Sequence, residues 1–403
     1  MRTDTQVGII GAGPAGLLLS QLLALNGVSS VVIESRSREY CETRVRAGVL
    51  EHGTVELLKQ AGAGERLQQE GLEHTGVYLR VRGKDHHIDF RELTGGKTIT
   101  VYAQQEVVKD LIARRLAPDN NIIFEVEDTT LKGIESTKPC IRFGKNGEQH
   151  EIRCDFVAGC DGFHGVSRSL IPQGALTVFD KTYPFAWLGI LAKAVPSSDE
   201  LVYASHQRGF ALLSMRTPEI SRLYIQCEPD ENADAWSDER IWLELKARLA
   251  KDDGWQLKDG PVLQKGVTGM RSFVVEPMQF GSLYLAGDAA HIVPPTGAKG
   301  LNLAAADVRV LAEAFTRFYR DSRRGLLDRY SEICLHRVWK AQRFSWWMTS
   351  LLHQFPNASG FDRRRQEAEL DYVVSSRAAK QTLAENYVGL PFESLESQAA
   401  RVE

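Results

Sequence analysis

Near its amino-terminal end the chain reads Val7-Gly8-Ile9-Ile10-Gly11-Ala12-Gly13-Pro14-Ala15-Gly16, a short apolar run that leads into closely spaced glycines. The apolar run predicts a buried strand, and the leucines that follow at helical spacing predict a helix directly after it. Asn26-Gly27 would end that helix, and residues 31–33 predict a second strand. This succession indicates a strand–helix–strand unit of the kind that builds a parallel sheet.

The glycines of this unit have the G-x-G-x-x-G spacing that suits a phosphate-binding loop. Gly11 permits a tight turn, Gly13 lets the backbone approach a pyrophosphate, and Gly16 lets the helix pack closely on the strand. Amide groups at the start of the helix would then face the anion. Glu34 ends the second strand, where a carboxylate can accept hydrogen bonds from a ribose. The unit predicts a dinucleotide site but leaves FAD and NAD open.

The composition is that of an ordinary folded protein. The 403 residues are 43% hydrophobic and 25% charged, which suggests two to three domains. Because 49 Lys and Arg residues stand against 52 Asp and Glu residues, no overall basic field exists, and we expect neither a nucleic-acid nor a membrane partner. The six cysteines lack metal-ligand spacing. We therefore expect no metal site, buried thiols and a cytoplasmic protein.

Changes of pattern along the chain suggest three parts. Residues 181–267 follow a period-two pattern rich in aromatic and β-branched residues, which predicts a separate antiparallel sheet. Residues 268–350 return to strand, glycine turn and long helix, and residues 351–403 are mainly helical in pattern. We expect a discontinuous dinucleotide-binding domain (1–180 and 268–350), a sheet domain (181–267) and a helical C-terminal interface region (351–403).

Two later segments narrow the choice of cofactor. They are Cys160-Asp161-Gly162 and Leu283-Tyr284-Leu285-Ala286-Gly287-Asp288-Ala289-Ala290-His291. Together with the glycine loop they resemble the three fingerprints of the single-component FAD-dependent aromatic hydroxylases. The resemblance extends from about residue 6 to residue 391 through RVRAGVL (44–50), RSFVVEP (271–277), IVPPTGAKGLN (292–302) and ENYVGLP (385–391). It implies a mixed α/β fold, in which a Rossmann-type FAD-binding domain carries an inserted antiparallel-sheet substrate domain and a helical C-terminal region.

The resemblance also implies a flavin site. Its cofactor-binding residues would be Gly11, Gly13, Gly16, Glu34, Arg44, Arg46, Gln104, Asp161, Arg222, Asp288, Leu301 and Asn302. Asp288 would hold the ribityl chain, and Arg222 would help to position a mobile flavin ring. Helical spacing predicts a long helix from about Leu301, whose N-terminus favours negative charge on the flavin. Pro295, through its carbonyl, and Asn302 would lie at the reacting ring.

Polar side chains on two neighbouring strands suggest a carboxylate site. Ser214 and Arg216 share one face of a strand, and Tyr224 lies on the next, after a connection of five residues that contains Pro218. A hairpin would bring together a guanidinium fork and two hydroxyl groups, which suits one carboxylate. On the residues alone, solvated strand charges are the better explanation of Arg216 and Arg222. The resemblance assigns Ser214, Arg216, Tyr224, Tyr203 and Pro295 to substrate binding.

A hydroxylase of phenols benefits from removing the phenolic proton, because an electrophilic oxidant attacks an electron-rich ring. A free phenol has a pKa near 10, so the site must donate hydrogen bonds that favour the phenolate. The resemblance implies that Tyr203 binds the substrate hydroxyl, with Tyr387 behind it and His74 at the solvent end of a proton relay. Histidine suits that end because it titrates near neutrality. Local spacing does not link these three residues.

The electron donor, NADPH or NADH, has no second glycine-rich loop in this sequence and would bind in a surface groove. The candidates are Arg36, Arg38, Tyr40, His164, Arg168 and Arg271. Family members that use only NADPH carry Arg at the position of Ser35, so the nucleotide preference stays open.

The resemblance implies a homodimer that converts 4-hydroxybenzoate, NAD(P)H and O2 into 3,4-dihydroxybenzoate, NAD(P)+ and water. One alternative is a sister hydroxylase of another phenolic acid, such as 3-hydroxybenzoate. The other is a regulator that binds flavin or an aromatic acid without turnover. A flavin halogenase is not supported, because the sequence has no Trp-x-Trp-x-Ile-Pro segment.

Overall fold

The computed structural model describes residues 2–46, 48–116 and 121–395. Ala47, which belongs to the quoted segment 44–50, and residues 396–403, at the end of the expected C-terminal region, lie outside the described residues.

A six-stranded sheet carries the amino-terminal strand–helix–strand unit and confirms that prediction. Its strand order is Gln279–Phe280, Leu283–Leu285, Phe156–Gly159, Val7–Ile10, Ser30–Ile33 and Ile122–Ile123. All neighbouring pairs are parallel except the first. The strands Val7–Ile10, Ser30–Ile33 and Phe156–Gly159 are buried along their whole length, as expected for a parallel sheet that helices cover.

Helix Pro14–Leu25 follows the first strand and packs against helices Gln104–Leu116 and Gly300–Asp321. The long helix begins at Gly300, one residue before the predicted start. Its N-terminus therefore lies next to the helix that begins at the glycine loop. This packing fixes the two helix starts on which a flavin site would depend.

An eight-stranded sheet forms the second layer. Its strand order is His291–Ile292, Val262–Glu276, Thr177–Ala192, Ile220–Cys227, Ala211–Thr217, Val202–Ser205, Gly76–Val81 and Lys84–Asp89. The sheet is not confined to 181–267 as expected, because residues 76–89 supply two of its strands. It is also mixed, since Val202–Ser205 pairs in parallel with Gly76–Val81. Two long strands, Thr177–Ala192 and Val262–Glu276, pair across both expected boundaries, so one ladder joins the two parts without a linker.

The remaining strands form two smaller sheets. One has the order Arg2–Asp4, Glu148–Arg153, Cys140–Lys145 and Glu127–Lys132, and the other Val49–Leu50, Ile99–Val101 and Leu72–His74. The remaining helices are Arg38–Thr43, His52–Gln60, Glu65–Glu70, Phe90–Thr94, Val166–Ser169, Asp238–Arg248, Gly325–Asp328, Tyr330–Leu352, Gly360–Ser375 and Arg377–Val388. Short 3₁₀ turns occupy Ala233–Ala235, Gly287–Ala289 and Pro295–Gly297.

The C-terminal helices pack against one face of the large sheet. Tyr203 and Phe210 from the sheet share an apolar core with Met348, Leu383 and Tyr387 from the helices. This core brings the helix Arg377–Val388 over the strands that carry the predicted substrate residues. Within the described ranges, no helix combines the length and apolar character that crossing a bilayer requires.

Candidate active site

The glycine loop has the shape that a pyrophosphate requires. Gly11 adopts φ +106°, and a Cβ there would lie 2.4 Å from the Cys160 carbonyl oxygen. A Cβ on Gly16 would lie 2.0 Å from the Gly11 carbonyl oxygen, whereas a Cβ on Gly13 would meet no atom within 4 Å. Gly11 and Gly16 therefore close the turn, and Gly13 faces open space from which a cofactor can approach. The loop fits the predicted FAD pyrophosphate.

Glu34 braces this loop from the end of its strand. Its carboxylate accepts hydrogen bonds from the backbone N–H of Ala12 at 2.8 Å and of Arg36 at 2.8 Å. These contacts tie the glycine loop to the next strand. The expected contact with a ribose stays a prediction.

Asp161 is held in place by its own loop. Its Oδ2 accepts hydrogen bonds from the backbone N–H and the hydroxyl of Ser167 at 2.8 and 2.9 Å, and its Oδ1 is buried without a partner among the described residues. A Cβ on Gly165 would lie 2.1 Å from the Asp161 Cγ, so only glycine fits beside the carboxylate. Burial raises the pKa of Asp161, and its hydrogen bonds oppose the rise. Asp161 thus holds the turn that follows its strand, and its expected contact with FAD stays a prediction.

Predicted flavin residues from distant segments lie close enough to interact. The guanidinium of Arg46 interacts electrostatically with Arg44, Asp288 and Arg222. Burial lowers the pKa of Arg46, and Arg44 lowers it further while Asp288 opposes them. The Asp288 side chain is exposed, yet the surrounding protein raises the pKa of its carboxyl, against the effects of His291 and Arg46. The structure therefore brings together four residues that the sequence analysis assigns to FAD.

The other predicted flavin residues lie at helix starts. Gln104 is the first residue of its helix and is half-buried. Leu301, in the first turn of the long helix, lines a small cavity with Pro14 and Leu18. Leu301 therefore lies beside the helix that starts at the glycine loop.

Asn302 holds a loop in place and has no hydrogen-bonding group left over. Its Nδ2 donates to the carbonyls of Val49 at 3.0 Å and Ala298 at 2.8 Å, and its Oδ1 accepts from the Glu51 N–H at 2.9 Å. With 1% of its surface exposed, Asn302 contacts protein instead of open space. Its expected role at the reacting ring would thus act through the loop it holds. Pro295 begins this loop as a 3₁₀ turn, and its carbonyl accepts from the Ala298 N–H at 2.9 Å.

The hairpin of the carboxylate site forms, but its connection is shorter than expected. Strand Ala211–Thr217 joins strand Ile220–Cys227 through Pro218 and Glu219 alone, because pairing continues to Thr217 and Ile220. Ser214 pairs directly with Arg222, and Leu212 with Tyr224. The predicted grouping of Ser214, Arg216 and Tyr224 forms on one face, and Arg222 joins it.

Two guanidinium groups lie here without carboxylate partners. Both arginines are half-buried, and Arg216 and Arg222 each have a buried Nε that lacks a hydrogen-bond partner; no ion pair joins either to an acidic residue within the described part of the chain. Both interact with the Tyr224 hydroxyl. Burial alone would raise the pKa of Tyr224, but Arg222 and Arg216 outweigh it and lower that pKa. Partly buried cations without an acidic partner favour an anionic ligand.

Gly189 makes room for this cluster, and the sequence analysis missed it. It pairs with Tyr224, and a Cβ there would lie 2.8 Å from Nη2 of Arg222 and 3.3 Å from Cε1 of Tyr224. A glycine inside a strand pattern is the signal that indicates such a close approach.

The tyrosine pair is present as expected. The hydroxyls of Tyr203 and Tyr387 share a short hydrogen bond, and both side chains are buried. Burial raises the pKa of Tyr203 well above its usual value, and it also raises that of Tyr387. Both phenols are therefore neutral near pH 7 and able to pass a proton between them.

His74 differs from its expected position at the solvent end of the relay. Only 2% of it is exposed, because its strand pairs with Ile99–Val101 inside the core, and its Nδ1 is buried without a partner. Burial lowers the pKa of His74 to about 4, although Glu200 opposes this. The imidazole is thus neutral near pH 7, and no direct hydrogen bond to the tyrosine pair is seen among the described residues.

Lys299 supports the tyrosine pair from a position that the sequence analysis quoted but did not assign. Its ammonium group donates to Glu51 Oε1 at 2.7 Å and to the Tyr387 carbonyl at 3.2 Å. Arg337 pairs with the other oxygen of Glu51 at 3.2 Å. A charged residue inside an otherwise apolar glycine loop was the available signal. This buried network fixes the end of helix Arg377–Val388.

The nicotinamide candidates fall into two groups. Tyr40 lies between the guanidinium groups of Arg36 and Arg44 at 5.3 and 5.6 Å from its ring centroid, and Arg38 pairs with Glu42. In the second group, Arg168 donates to the carbonyls of Ala289 and Phe163, and Arg271 makes two 2.8 Å hydrogen bonds to Asp180.

His164 adjoins the second group through Phe163, whose ring the guanidinium groups of Arg168 and Arg271 both cover. The hydrogen bonds of Arg168 to two backbone carbonyls already give it a structural role. A role for these residues in nucleotide binding stays a prediction.

Other polar groups do not form a metal site. Within the described ranges, no three His, Cys, Asp or Glu side chains are placed to hold a metal ion. All six cysteines are free thiols, but Cys41 and Cys140 are only half-buried, whereas burial of every cysteine was expected.

Comparison with solved structures supports the fold. The p-nitrophenol 4-monooxygenase PnpA from Pseudomonas putida DLL-E4 superposes with a TM-score of 0.79 over 97% of this chain and 100% of its own, at 20% sequence identity. The OxyS anhydrotetracycline hydroxylase from Streptomyces rimosus gives a TM-score of 0.72 over 96% of this chain and 76% of its own, at 22% identity. At such identities the likeness shows the fold alone.

Comparison with related amino-acid sequences identifies the family. The p-hydroxybenzoate hydroxylase of Acinetobacter baylyi is 50% identical over 389 residues, which cover 96% of each chain. The 6-methylpretetramide 4-monooxygenase of Streptomyces rimosus is 27% identical over 80% of this chain and 78% of its own. Residues 4–345 match the model of the FAD-binding-domain family. The chain therefore belongs to the FAD-binding-domain family and is an FAD-dependent monooxygenase.

Proposed function

We propose that this enzyme hydroxylates 4-hydroxybenzoate at its 3-position, giving 3,4-dihydroxybenzoate at the expense of NAD(P)H and O2. The 50% identical relative named p-hydroxybenzoate hydroxylase supports this substrate. The observation in the chain itself that carries the proposal is the pair of half-buried arginines, Arg216 and Arg222, whose buried Nε atoms lack a hydrogen-bond partner among the described residues.

The register of the large sheet supports a ligand with two polar ends. Tyr203 pairs with Leu212, and Leu212 pairs with Tyr224, so the two tyrosines lie on one face of the sheet, two strands apart. Because neighbouring strands are about 4.8 Å apart, their backbones are separated by roughly 10 Å. A benzene ring with a hydroxyl group opposite a carboxylate would place the carboxylate at Arg216 and Tyr224 and the hydroxyl group at Tyr203.

The carboxylate end of the site can bind a carboxylate tightly and in a defined orientation. A guanidinium fork can make two parallel hydrogen bonds to a carboxylate, and the buried setting makes both stronger than in water. Ser214, which is 3% exposed, lies on the same face and pairs with Arg222. An uncharged benzoic ester or a benzamide would leave the two cations unpaired, so the site selects for the acid.

At the hydroxyl end of the site, a proton can pass from the substrate to the tyrosine pair. Tyr203 is neutral and can accept the substrate proton only by passing its own on to Tyr387, with which it shares a hydrogen bond. The substrate then bears the negative charge, which raises the electron density of the ring at the carbon next to the hydroxyl. Bound FAD would supply the two-electron activation of oxygen, with NAD(P)H as the electron source. The aromatic core around Tyr203, Phe210 and Tyr387 excludes water that would otherwise divert the oxidant.

Several residues of the chain would hold the cofactor. Gly11, Gly13 and Gly16 would hold the pyrophosphate, and Asp288 and Arg46, which interact with each other, would also contact FAD. We assign the contacts of Glu34, Arg44, Gln104, Asp161, Arg222 and Leu301 with FAD to this proposal as well. Arg36, Arg38, Tyr40, His164, Arg168 and Arg271 remain candidates for NADPH or NADH.

We further propose a cytoplasmic homodimer. Six free thiols suit a reducing compartment. Helix Gly360–Ser375 exposes Phe361 and Tyr372, by 76% and 55%, on one face together with Arg365, Ala368 and Asp371. Three arginines (363–365) lie in its first half, and Glu369 and Asp371 lie in its second. Antiparallel contact with a second copy about Ala368 would place Arg365 opposite Asp371 of that copy.

Sedimentation of Arg365→Asp, and of Arg365→Asp combined with Asp371→Arg, tests this surface. The single change should shift the protein toward monomer and the double change should restore the dimer. A dimer unaffected by either change would reject the helix as the interface.

A panel of benzoates tests the substrate. FAD-loaded enzyme should oxidise NAD(P)H fastest with 4-hydroxybenzoate and should form 3,4-dihydroxybenzoate. Faster coupled turnover of 3-hydroxybenzoate would support the sister-hydroxylase reading. Tight binding of the acids without any product would support the non-catalytic regulator, although a regulator needs the carboxylate cluster and not the tyrosine pair.

A further inference from the structure

The buried position of His74 raises the question of how the proton reaches water. The hydrogen-bonded pair Tyr203–Tyr387 is enclosed, and His74 is 2% exposed. A relay that ended at His74 would therefore leave the proton inside the protein. Groups beyond His74 must connect it to the surface.

A buried carboxylate is hydrogen-bonded to Thr75, the residue that follows His74. Glu200 is 8% exposed, and its Oε1 accepts hydrogen bonds from the N–H and the hydroxyl of Thr75, both at 2.8 Å. Glu200 is also the charge that acts most strongly on the His74 imidazole. Glu200 lies two residues before the strand Val202–Ser205, which carries Tyr203.

The second oxygen of this carboxylate meets a histidine that reaches the surface. Oε2 of Glu200 lies 2.6 Å from Nε2 of His87, whose side chain is 34% exposed. The His87 ring also contacts the Tyr78 ring, with centroids 4.8 Å apart. No catalytic or cofactor role is assigned to Glu200 or His87 by the proposed function.

A backbone contact and a ring contact connect Thr75, which binds Glu200, to Tyr387. The carbonyl of Thr75 accepts the Phe90 N–H at 2.7 Å, and the Phe90 ring stacks on the Tyr387 ring with centroids 5.2 Å apart. The segment that carries His74 and Thr75 thus lies one ring away from Tyr387.

We propose that Glu200 and His87 form the solvent end of the proton relay, beyond His74. The proposal rests on the proposed function and extends it to two positioning residues. A proton that reaches Oε2 of Glu200 passes to Nε2 of a neutral His87 that carries its own proton on Nδ1, and Nδ1 then releases that proton to water. Proton exchange with water returns the ring to its starting tautomer. The pair ends each cycle with the charge it had at the start, and no oxidant or reductant is required.

Other charged groups near Glu200 and His87 contribute to the electrostatic environment of this pair. Asp199, Asp85 and Lys251 act on Tyr78, which touches His87, and Asp199 also acts on His74. His86 neighbours His87 in the same strand and points to the opposite face, since it pairs with Leu79 while His87 pairs with Tyr78. His86 is therefore a matched control for a change at His87.

A pH jump on the complex with 4-hydroxybenzoate tests the proposal. In the holoenzyme, phenolate formation is followed by the absorbance of the bound ligand, and proton release by an indicator dye. His87→Gln should slow both signals by about tenfold or more, since a positioned proton-transfer group contributes roughly 10²–10⁴-fold. His86→Gln should behave as the native enzyme. Added imidazole should restore the rate of His87→Gln, and the ligand dissociation constant should not change.

Glu200→Gln provides a second variant that keeps an acceptor for Thr75 but cannot carry the proton. It should slow proton release as His87→Gln does. Native rates in both variants would overturn the inference, and so would slow rates that imidazole leaves unchanged in His87→Gln. If the native enzyme neither binds nor hydroxylates 4-hydroxybenzoate, the proposed function fails as well; if it hydroxylates normally while both variants release protons at the native rate, this inference alone fails.

Discussion

Arg216 is the residue on which recognition of the substrate depends most. Its Nε is buried without a partner, and burial lowers the pKa of its guanidinium while Tyr224 opposes this. Arg216→Lys would replace a fork of parallel donors by a point charge, and a hydrogen bond to a charged group contributes about 1.5–3 kcal/mol. We expect roughly 10- to 100-fold weaker binding of 4-hydroxybenzoate, measured by titration of the flavin absorbance. Arg208→Lys, at an exposed arginine paired with Glu244, is the control; an unchanged dissociation constant in Arg216→Lys would exclude it from the site.

Tyr203 should act on the reaction more than on binding. Tyr203→Phe keeps the ring that packs against Phe210 but removes the hydroxyl that bonds Tyr387. Substrate affinity should change little, whereas less phenolate forms and more NAD(P)H is consumed without hydroxylation. The ratio of 3,4-dihydroxybenzoate to NAD(P)H, with hydrogen peroxide measured in parallel, checks this. A native ratio would refute the role of Tyr203.

Residues of the site were predictable to different degrees. Ser214, Arg216 and Tyr224 follow from period-two spacing, because a hairpin must place alternate residues on one face. Tyr203, Tyr387 and His74 came only from the family resemblance, since no local pattern links residues so far apart in sequence. The burial of His74 depends on its partner strand, which the sequence does not reveal.

The glycine loop is the element that sets the cofactor site. In Gly16→Ala the new Cβ would lie 2.0 Å from the backbone oxygen of Gly11, so a side-chain movement cannot relieve the contact. Overpacking of this kind costs about 1–3 kcal/mol. We expect a lower melting temperature and weaker FAD binding, followed by flavin fluorescence. Gly325→Ala, where a Cβ meets nothing within 4 Å, should change neither; native FAD affinity in Gly16→Ala would contradict the close packing of loop and helix.

Elements built from local signals were predicted well. The first strand, its helix and the long helix from Gly300 follow from apolar period and glycine position. The extent of the large sheet did not follow, because Gly76–Val81 joins it through a parallel pair with a strand that lies far along the chain. Such pairing is decided by tertiary contacts that leave no local trace.

For the whole molecule, a buried histidine predicts sensitivity to acid. His353 is fully enclosed, its Nε2 accepts from the Trp187 indole N–H at 2.7 Å, and burial lowers its pKa to about 3. Between this pKa and the unfolded value of about 6.5, the unfolded chain binds the extra proton, so stability falls as pH falls through that range. Burial of His74 acts with the same sign.

Urea unfolding between pH 7 and pH 4 measures this effect. His353→Gln, which cannot be protonated, should lose less free energy of unfolding over that range than the native protein. His52→Gln, at an exposed histidine, should follow the native pH dependence. The same slope in His353→Gln and the native protein would contradict the buried neutral state of His353.

The central claim, coupled hydroxylation of a phenolic acid, is tested most directly on the whole enzyme. Purified FAD-loaded protein is given NADPH or, separately, NADH, with and without 4-hydroxybenzoate, and the aromatic product is identified. We predict a large rise in nucleotide oxidation with the substrate, matched by an equal amount of 3,4-dihydroxybenzoate, and the nucleotide that is oxidised faster is the natural donor. Oxidation without hydroxylated product, or no stimulation by 4-hydroxybenzoate with either nucleotide, would contradict it.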